Sequence, residues 1–212
     1  MGNKSGCAVV VAKERKSMTY SYSKLNDYAR CPFYFKCRSI DKIEVEEQEQ
    51  LVKGRVLHTI LEKYTLACYK AGKTQLFDVW EQIALDAIRE FNVLPEYENE
   101  IMQDAKSYIE ANEIELDGLA GVEEQVSVTR DFKVVDWENK DVWFRGKFDK
   151  FYIAGDTAKI SDYKTGYTMT PDIFQLEIYA WLAYKIYPQL EFVQVEFDFT
   201  RFSYKKVIDI GK

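Results

Sequence analysis

The spacing of apolar residues changes once along this chain, near Gly118, and that change constrains the fold more than any other feature. Before it, apolar side chains recur every three to four residues. Val52, Val56, Leu57, Ile60, Leu61, Tyr64, Ala67 and Cys68 fill one arc of a helix over residues 50–71. Thr74 has the chemistry of an N-cap for a helix carrying Leu76, Trp80, Ile83, Ala87, Ile88 and Phe91, and Ile101, Ala105, Tyr108 and Ile109 mark another over 97–115. A shorter helix, from Ser21 to Ala29, stops ahead of Pro32. After Gly118 the period is two: Val122, Glu124, Val126 and Val128 alternate with Glu123, Gln125 and Ser127. Strand patterns follow at residues 142–153, 158–164, 192–202 and 204–210, interrupted by a helix over 171–187 that opens with Pro171. The order predicts an α/β domain with a central mixed β-sheet flanked by helices, several of them N-terminal. Residues 1–17 read as a weakly ordered tail and 18–212 as a single domain.

Composition narrows the class. At 47% hydrophobic with 10 Gly and 4 Pro, the chain is neither disordered nor fibrous. No apolar run approaches the roughly 18 residues of a membrane span. The apolar stretch Cys7–Ala12 runs straight into Lys13, Glu14, Arg15 and Lys16 without a small-residue cleavage site. A cytoplasmic protein with no membrane partner is therefore expected. Four cysteines and one histidine, with no CxxC, argue against structural zinc. A net charge of −6 speaks against a passive nucleic-acid binder but allows an enzyme with a local basic groove. Lys24, Arg30, Lys36 and Arg38 are the nearest basic cluster, and a solvated face explains them equally well.

The chemistry concentrates in Gly146-Lys147-Phe148-Asp149 and Ser161-Asp162-Tyr163-Lys164-Thr165-Gly166. Gly155-Asp156 between them suits a two-residue hairpin loop in which glycine takes the positive φ. With that loop, Phe151 faces Ile160 and Asp149 faces Asp162. Directly opposed residues share a face, with Cβ atoms roughly 4.5–5.5 Å apart. Lys164, two residues past Asp162, points the same way. Two adjacent carboxylates repel unless a cation joins them, and hard oxygen ligands suit Mg²⁺ or Mn²⁺. The plainer reading, two solvated strand-end acids with a lysine partner, fits the hairpin alone just as well.

Taken in order, Gly146-Lys-Phe-Asp149, Asp162-Tyr-Lys164-Thr-Gly and Gln175-Leu-Glu-Ile-Tyr179 resemble the PD-(D/E)XK nuclease superfamily, specifically its RecB-like branch. Upstream, Ser21-Tyr-Ser23-Lys-Leu through Arg30-Cys31-Pro32-Phe-Tyr resembles the opening segment of that branch, and Gly54-Arg-Val-Leu-His58 its Gly…His helix. The resemblance implies that Asp149 and Asp162 are metal carboxylates, that the Tyr163 carbonyl and His58 complete the ligand set, and that Lys164 is the catalytic lysine. It gives Gln175 and Tyr179, four apart on one helix face, a supporting or DNA-contacting role, and places Ser23 and Arg30 beside DNA. The early acidic residue of the family fits Glu123; Glu124, on the opposite face, is the rival, and alternation does not choose between them.

One RecB-like group carries an iron–sulfur cluster held by one early and three late cysteines. Cys31 could match the first, but no cysteine follows Cys68, so no cluster is expected, and Cys31 and Cys37 are expected to be core thiols. No P-loop or helicase motif occurs. The resemblance thus implies a Mg²⁺- or Mn²⁺-dependent deoxyribonuclease, an exonuclease on single strands or duplex ends. It would serve DNA repair, recombination or phage DNA processing, with a helicase or recombination partner supplied separately. The competing expectation is a DNA-binding or scaffold subunit that no longer cuts.

Overall fold

The computed structural model describes residues 18–43, 48–170 and 172–212. The expected tail over 1–17 and the expected helix start at Pro171 lie outside the described residues. Five strands form one sheet in sequence order: β1 (Leu119–Val128), β2 (Phe144–Ala154), β3 (Thr157–Lys164), β4 (Phe192–Phe199) and β5 (Tyr204–Gly211). Neighbours are antiparallel except β3 and β4, which run parallel. A parallel pair needs a crossover, and helix α6 (Ile173–Ile186) supplies it across one face of the sheet. Asp172 starts α6: its Oδ1 accepts the Phe174 N–H at 3.0 Å, satisfying one amide the helix cannot. Glycine at 146 lets α6 lie close, since a Cβ there would stand 2.6 Å from Leu182 Cδ1.

The core beneath α6 contains Phe148, Phe151, Ile160, Val193, Val195 and Phe197 from the strands against Leu176, Ala180 and Leu182. Each fully buried large side chain contributes roughly 1.5–3 kcal/mol. On the opposite face lie α3 (Glu49–Ala71), α4 (Trp80–Glu90) and α5 (Pro95–Ala111), with a second core built on Val56, Leu57, Ile60, Leu61 and Tyr64. Gly72 ends α3 in the left-handed region (φ 62), where the Lys73 N–H turns back to Cys68 O at 3.1 Å. This second layer docks on the sheet largely through polar groups. Tyr108 Oη donates to Asp198 Oδ2 at 2.5 Å, Tyr163 Oη and Thr65 Oγ1 lie 3.2 Å apart, and Lys150 Nζ sits 4.4 Å from the centre of the Tyr163 ring. The molecule is therefore a three-layer α/β structure with a mixed sheet in the middle.

Two local expectations need correction. Thr74 does not cap α4, which begins at Trp80 after Val79. Segment 74–76 is instead pinned outside any helix, with a bend at Thr74: the Ile114 N–H donates to Thr74 O at 2.9 Å, and the Leu76 N–H to Tyr64 Oη at 2.9 Å. Nor are Cys31 and Cys37 core thiols, because Cys31 is exposed and Cys37 half-buried. They belong to α1 (Tyr22–Arg30), α2 (Pro32–Phe35) and a π-helical stretch (Lys36–Ile40), which pack chiefly on one another. Such a unit is too thin to enclose a core, and Phe35 is the one side chain in these three elements that is buried. Among the described residues, no helix is long and apolar enough to cross a membrane.

Candidate active site

The hairpin register matches the expectation from Ala154↔Thr157 through Phe151↔Ile160 to Lys150↔Ser161, and there the backbone pairing stops. One residue further, Asp149 replaces a ladder bond with a side-chain bond: its Oδ2 accepts the Tyr163 N–H at 2.6 Å. The cause lies in β2 itself. Phe148 and Phe151, three apart, both enter the core under α6, so strict alternation slips at Asp149–Lys150. Opposite this slip, β1 pairs Val122 with Lys150 and Glu124 with Phe148, and Glu123 between them adopts φ 56. A left-handed glutamate costs on the order of 1 kcal/mol, borne where the strand turns an acid out of register.

Asp149 and Asp162 are 7% and 5% exposed. Asp162 Oδ1 accepts from Gln175 Nε2 and from Tyr179 Oη, each at 3.0 Å, both arriving from α6. Lys164 Nζ donates to Gln175 Oε1 at 2.8 Å and lies 2.5 Å from Asp162 Oδ2, off the line of a hydrogen bond. Asp162 Oδ2 is thus buried against the ammonium as a charge contact rather than a well-aligned hydrogen bond. Burial pushes the Asp162 carboxyl above its ordinary range; Lys164 opposes this and the Asp149 charge adds to it.

From α3, His58 Nε2 reaches Asp149 Oδ2 at 2.9 Å. Burial opposes protonation of the ring, but the Asp149 carboxylate outweighs it, with help from Asp162 and Glu62, and the imidazole pKa lies above its usual value. Glycine at 54 keeps the edge of α3 low. A Cβ there would come 3.0 Å from Thr165 Oγ1, which donates to Gly54 O at 3.2 Å and ties the loop after β3 to the helix.

Between the two early acids the structure selects Glu123. Its Oε1 lies 3.7 Å from His58 Nδ1 and its Oε2 is paired with Lys147, whereas the Glu124 carboxylate lies over Gly121. Asp149, Asp162, Lys164, His58, Tyr163, Glu123, Gln175 and Tyr179 are therefore brought together. Ser23 and Arg30 are not. The Ser23 hydroxyl meets Ser21 at 3.0 Å, and Arg30 makes no ion pair among the described residues. Glu62 escaped the sequence reading. One turn after His58, its carboxylate joins the His58 imidazole and the Glu123 carboxylate in a group whose ligand atoms all lie within 4.8 Å of one another. The readable signal was the i, i+4 spacing on α3. Lys147 was readable by alternation, since it stands two residues before Asp149 on the same strand and so on the same face.

These residues fit a hard divalent cation. The donor set is carboxylate and imidazole, and two buried carboxylate oxygens, Asp162 Oδ2 and Glu123 Oε1, accept no hydrogen bond. Beside them opens a cleft of about 480 Å³ lined by Gly54, Arg55, His58, Glu62, Glu123 and Lys147. A smaller cavity of about 350 Å³ at the turn end of the hairpin, lined by Tyr152, Lys159 and Phe192, contains none of these groups.

Buried paired acids beside a lysine, on a mixed sheet between helices, define the class of fold and site used by metal-dependent nucleases. The sequence profile of the PD-(D/E)XK nuclease superfamily matches residues 19–204. The chain belongs to that superfamily. No curated protein matches the sequence significantly.

Proposed function

We propose that this chain is a divalent-metal-dependent deoxyribonuclease of the RecB-like branch, acting as an exonuclease on single strands or duplex ends. The observation that carries this reading is Asp162: buried, beside Asp149, with one oxygen supplied with two donors from α6 and the other turned to the Lys164 ammonium at 2.5 Å. Asp149, Asp162, His58 and the Tyr163 carbonyl would hold the cation, for which Mg²⁺ is the natural candidate and Mn²⁺ the usual substitute. When bound, such an ion polarises a phosphoryl oxygen and lowers the pKa of water.

The remaining steps belong to the protein. Gln175 and Tyr179 fix Asp162 Oδ1, which leaves Oδ2 for the cation. Gln175 Oε1 also holds the Lys164 ammonium near the same carboxylate, so Nζ orients the attacking water and offsets negative charge developing on phosphorus. The water oxygen bonds to phosphorus, the bond from phosphorus to the leaving sugar oxygen breaks, and no covalent enzyme intermediate forms. DNA repair, recombination or phage DNA processing is the setting this activity suits, with any helicase supplied by a partner.

Digestion of 5′- and 3′-labelled oligonucleotides with Mg²⁺, Mn²⁺ or EDTA tests the reading and reads out polarity. Cleavage should require metal and should be lost in Asp162→Ala and Lys164→Ala while DNA binding persists. Cleavage surviving both changes would refute it.

A further inference from the structure

Helices α1 and α2 carry three aromatic rings outward: Phe33 is 72% exposed, Tyr28 56% and Tyr34 46%. Around them the charge reverses. Residues 18–42 contain five cations (Lys24, Arg30, Lys36, Arg38, Lys42) and two acids (Asp27, Asp41), a local +3 on a chain of net −6. Lys36 pairs with Asp41 and Arg38 with Asp27, so both acids are used. Lys24, Arg30 and Lys42 have no acidic partner among the described residues, and Arg145 and Lys42 both press on the Lys24 charge.

This unit is fastened at the active site. The Tyr20 N–H donates to Trp143 O at 2.8 Å and the Arg145 N–H to Tyr20 O at 3.0 Å, which lays the start of the segment along β2. Tyr22 Oη donates to the carboxylate of Asp172, the residue that caps α6, and α6 delivers Gln175 and Tyr179 to Asp162.

We infer that the α1–α2 unit is a platform for single-stranded nucleic acid, with Phe33 and Tyr34 stacking unpaired bases and Lys24, Arg30 and Lys42 holding phosphates on the way to Asp149 and Asp162. The last clause rests on the nuclease reading; the platform does not. Exposed rings with interleaved cations match a strand whose base faces are open, while a duplex hides those faces and offers phosphates alone. A second copy of the chain is a poorer occupant, because two +3 surfaces face to face repel. Lys24 Nζ also donates to Thr19 O at 2.5 Å, but an apolar protein partner would still leave Arg30 and Lys42 unexplained.

Fluorescence anisotropy in EDTA tests this on the whole chain, using labelled oligothymidine of about 30 nucleotides and a duplex of equal length, a length that spans several stacking positions. Wild-type protein should bind the single strand more tightly than the duplex. Phe33→Ala/Tyr34→Ala should weaken single-strand binding about tenfold or more with duplex binding unchanged. Phe33→Tyr should retain wild-type affinity, and Lys24→Gln/Arg30→Gln should weaken both ligands and flatten the salt dependence. Both rings are exposed, so the alanine variants should melt with the wild type.

In Mg²⁺, the aromatic double variant should show a raised KM and an unchanged kcat on single strands. Equal affinity for strand and duplex, no binding to either, or no loss in the double variant overturns the platform. Concentration-dependent self-association abolished by Phe33→Ala would also overturn it, assigning the surface to a second copy. If wild type cuts single strands but the double variant binds them normally, the platform fails and the nuclease reading stands. If the binding pattern appears and nothing is cut, the reverse holds.

Discussion

The carboxylate of Asp149 takes the main-chain N–H of Tyr163 at 2.6 Å, in the place where an antiparallel ladder would use a carbonyl. That bond presses two acids together. It also fixes the strand at Tyr163, whose ring is clamped on the other face by Thr65 Oγ1 and by the edge of the Tyr108 ring at 5.8 Å. The pair of acids is thus built into the sheet rather than left to mobile side chains.

Asp162→Asn should separate stability from function. The change keeps shape and donors' positions but removes a buried charge facing Asp149. In EDTA the variant should be more stable than wild type by roughly 1 kcal/mol. Adding Mg²⁺ or Mn²⁺ should raise the melting temperature of wild type and leave the variant unmoved. Thermal melts with and without metal check both points.

The pH dependence of the metal-free protein follows from two raised pKa values, those of Asp162 and His58. A raised group gives stability that is complete below its unfolded value, about 4 for aspartate and about 6.5 for histidine, and that fades as pH climbs through the folded value. Metal-free protein should therefore lose stability on going from mildly acidic to mildly alkaline pH, and His58→Ala should flatten the upper part of that slope. Glu62→Gln should lower the His58 pKa, because Glu62 contributes to the rise. A histidine NMR titration, with one ring to follow, reads it directly.

Gln175 and Tyr179 touch Asp162, and Gln175 also holds Lys164. Gln175→Ala removes a donor to Asp162 and the acceptor for Lys164, so kcat should fall more than tenfold with KM little changed. Tyr179→Phe removes one donor of the two to Asp162 Oδ1 and should cost less. Steady-state kinetics of both variants, compared with a Gln175→Glu variant that keeps the acceptor, distinguishes positioning from plain destabilisation.

Packing gives a further test. Gly146→Ala would set a methyl group 2.6 Å from Leu182 Cδ1, and overpacking of this kind costs about 1–3 kcal/mol. Gly146→Ala/Leu182→Ala should recover part of the loss, which urea unfolding measures.

Most of the core and the principal site were legible because they rest on short-range rules. Helical spacing on α3, alternation on the strands and a Gly-Asp reversal determine the register that brings Asp149 to Asp162. What escaped depends on deviations from those rules. Alternation alone did not choose between Glu123, the better family match, and Glu124; a left-handed φ at Glu123, opposite Asp149, accompanies its approach to His58. Thr74 carries a capping side chain, yet tertiary bonds from Ile114 and to Tyr64 hold its segment outside the helix. Cys31 looked buried by residue type, but the α1–α2 unit has no second layer to bury it.

The most direct test compares wild type and Asp162→Asn on end-labelled single-stranded DNA in Mg²⁺, with EDTA as the control. The expected result is wild-type cleavage abolished by EDTA, and a folded variant about a hundredfold to a thousandfold slower or worse. Equal cleavage by both proteins, or none by wild type in either Mg²⁺ or Mn²⁺, would contradict a metal-dependent nuclease centred on Asp149 and Asp162.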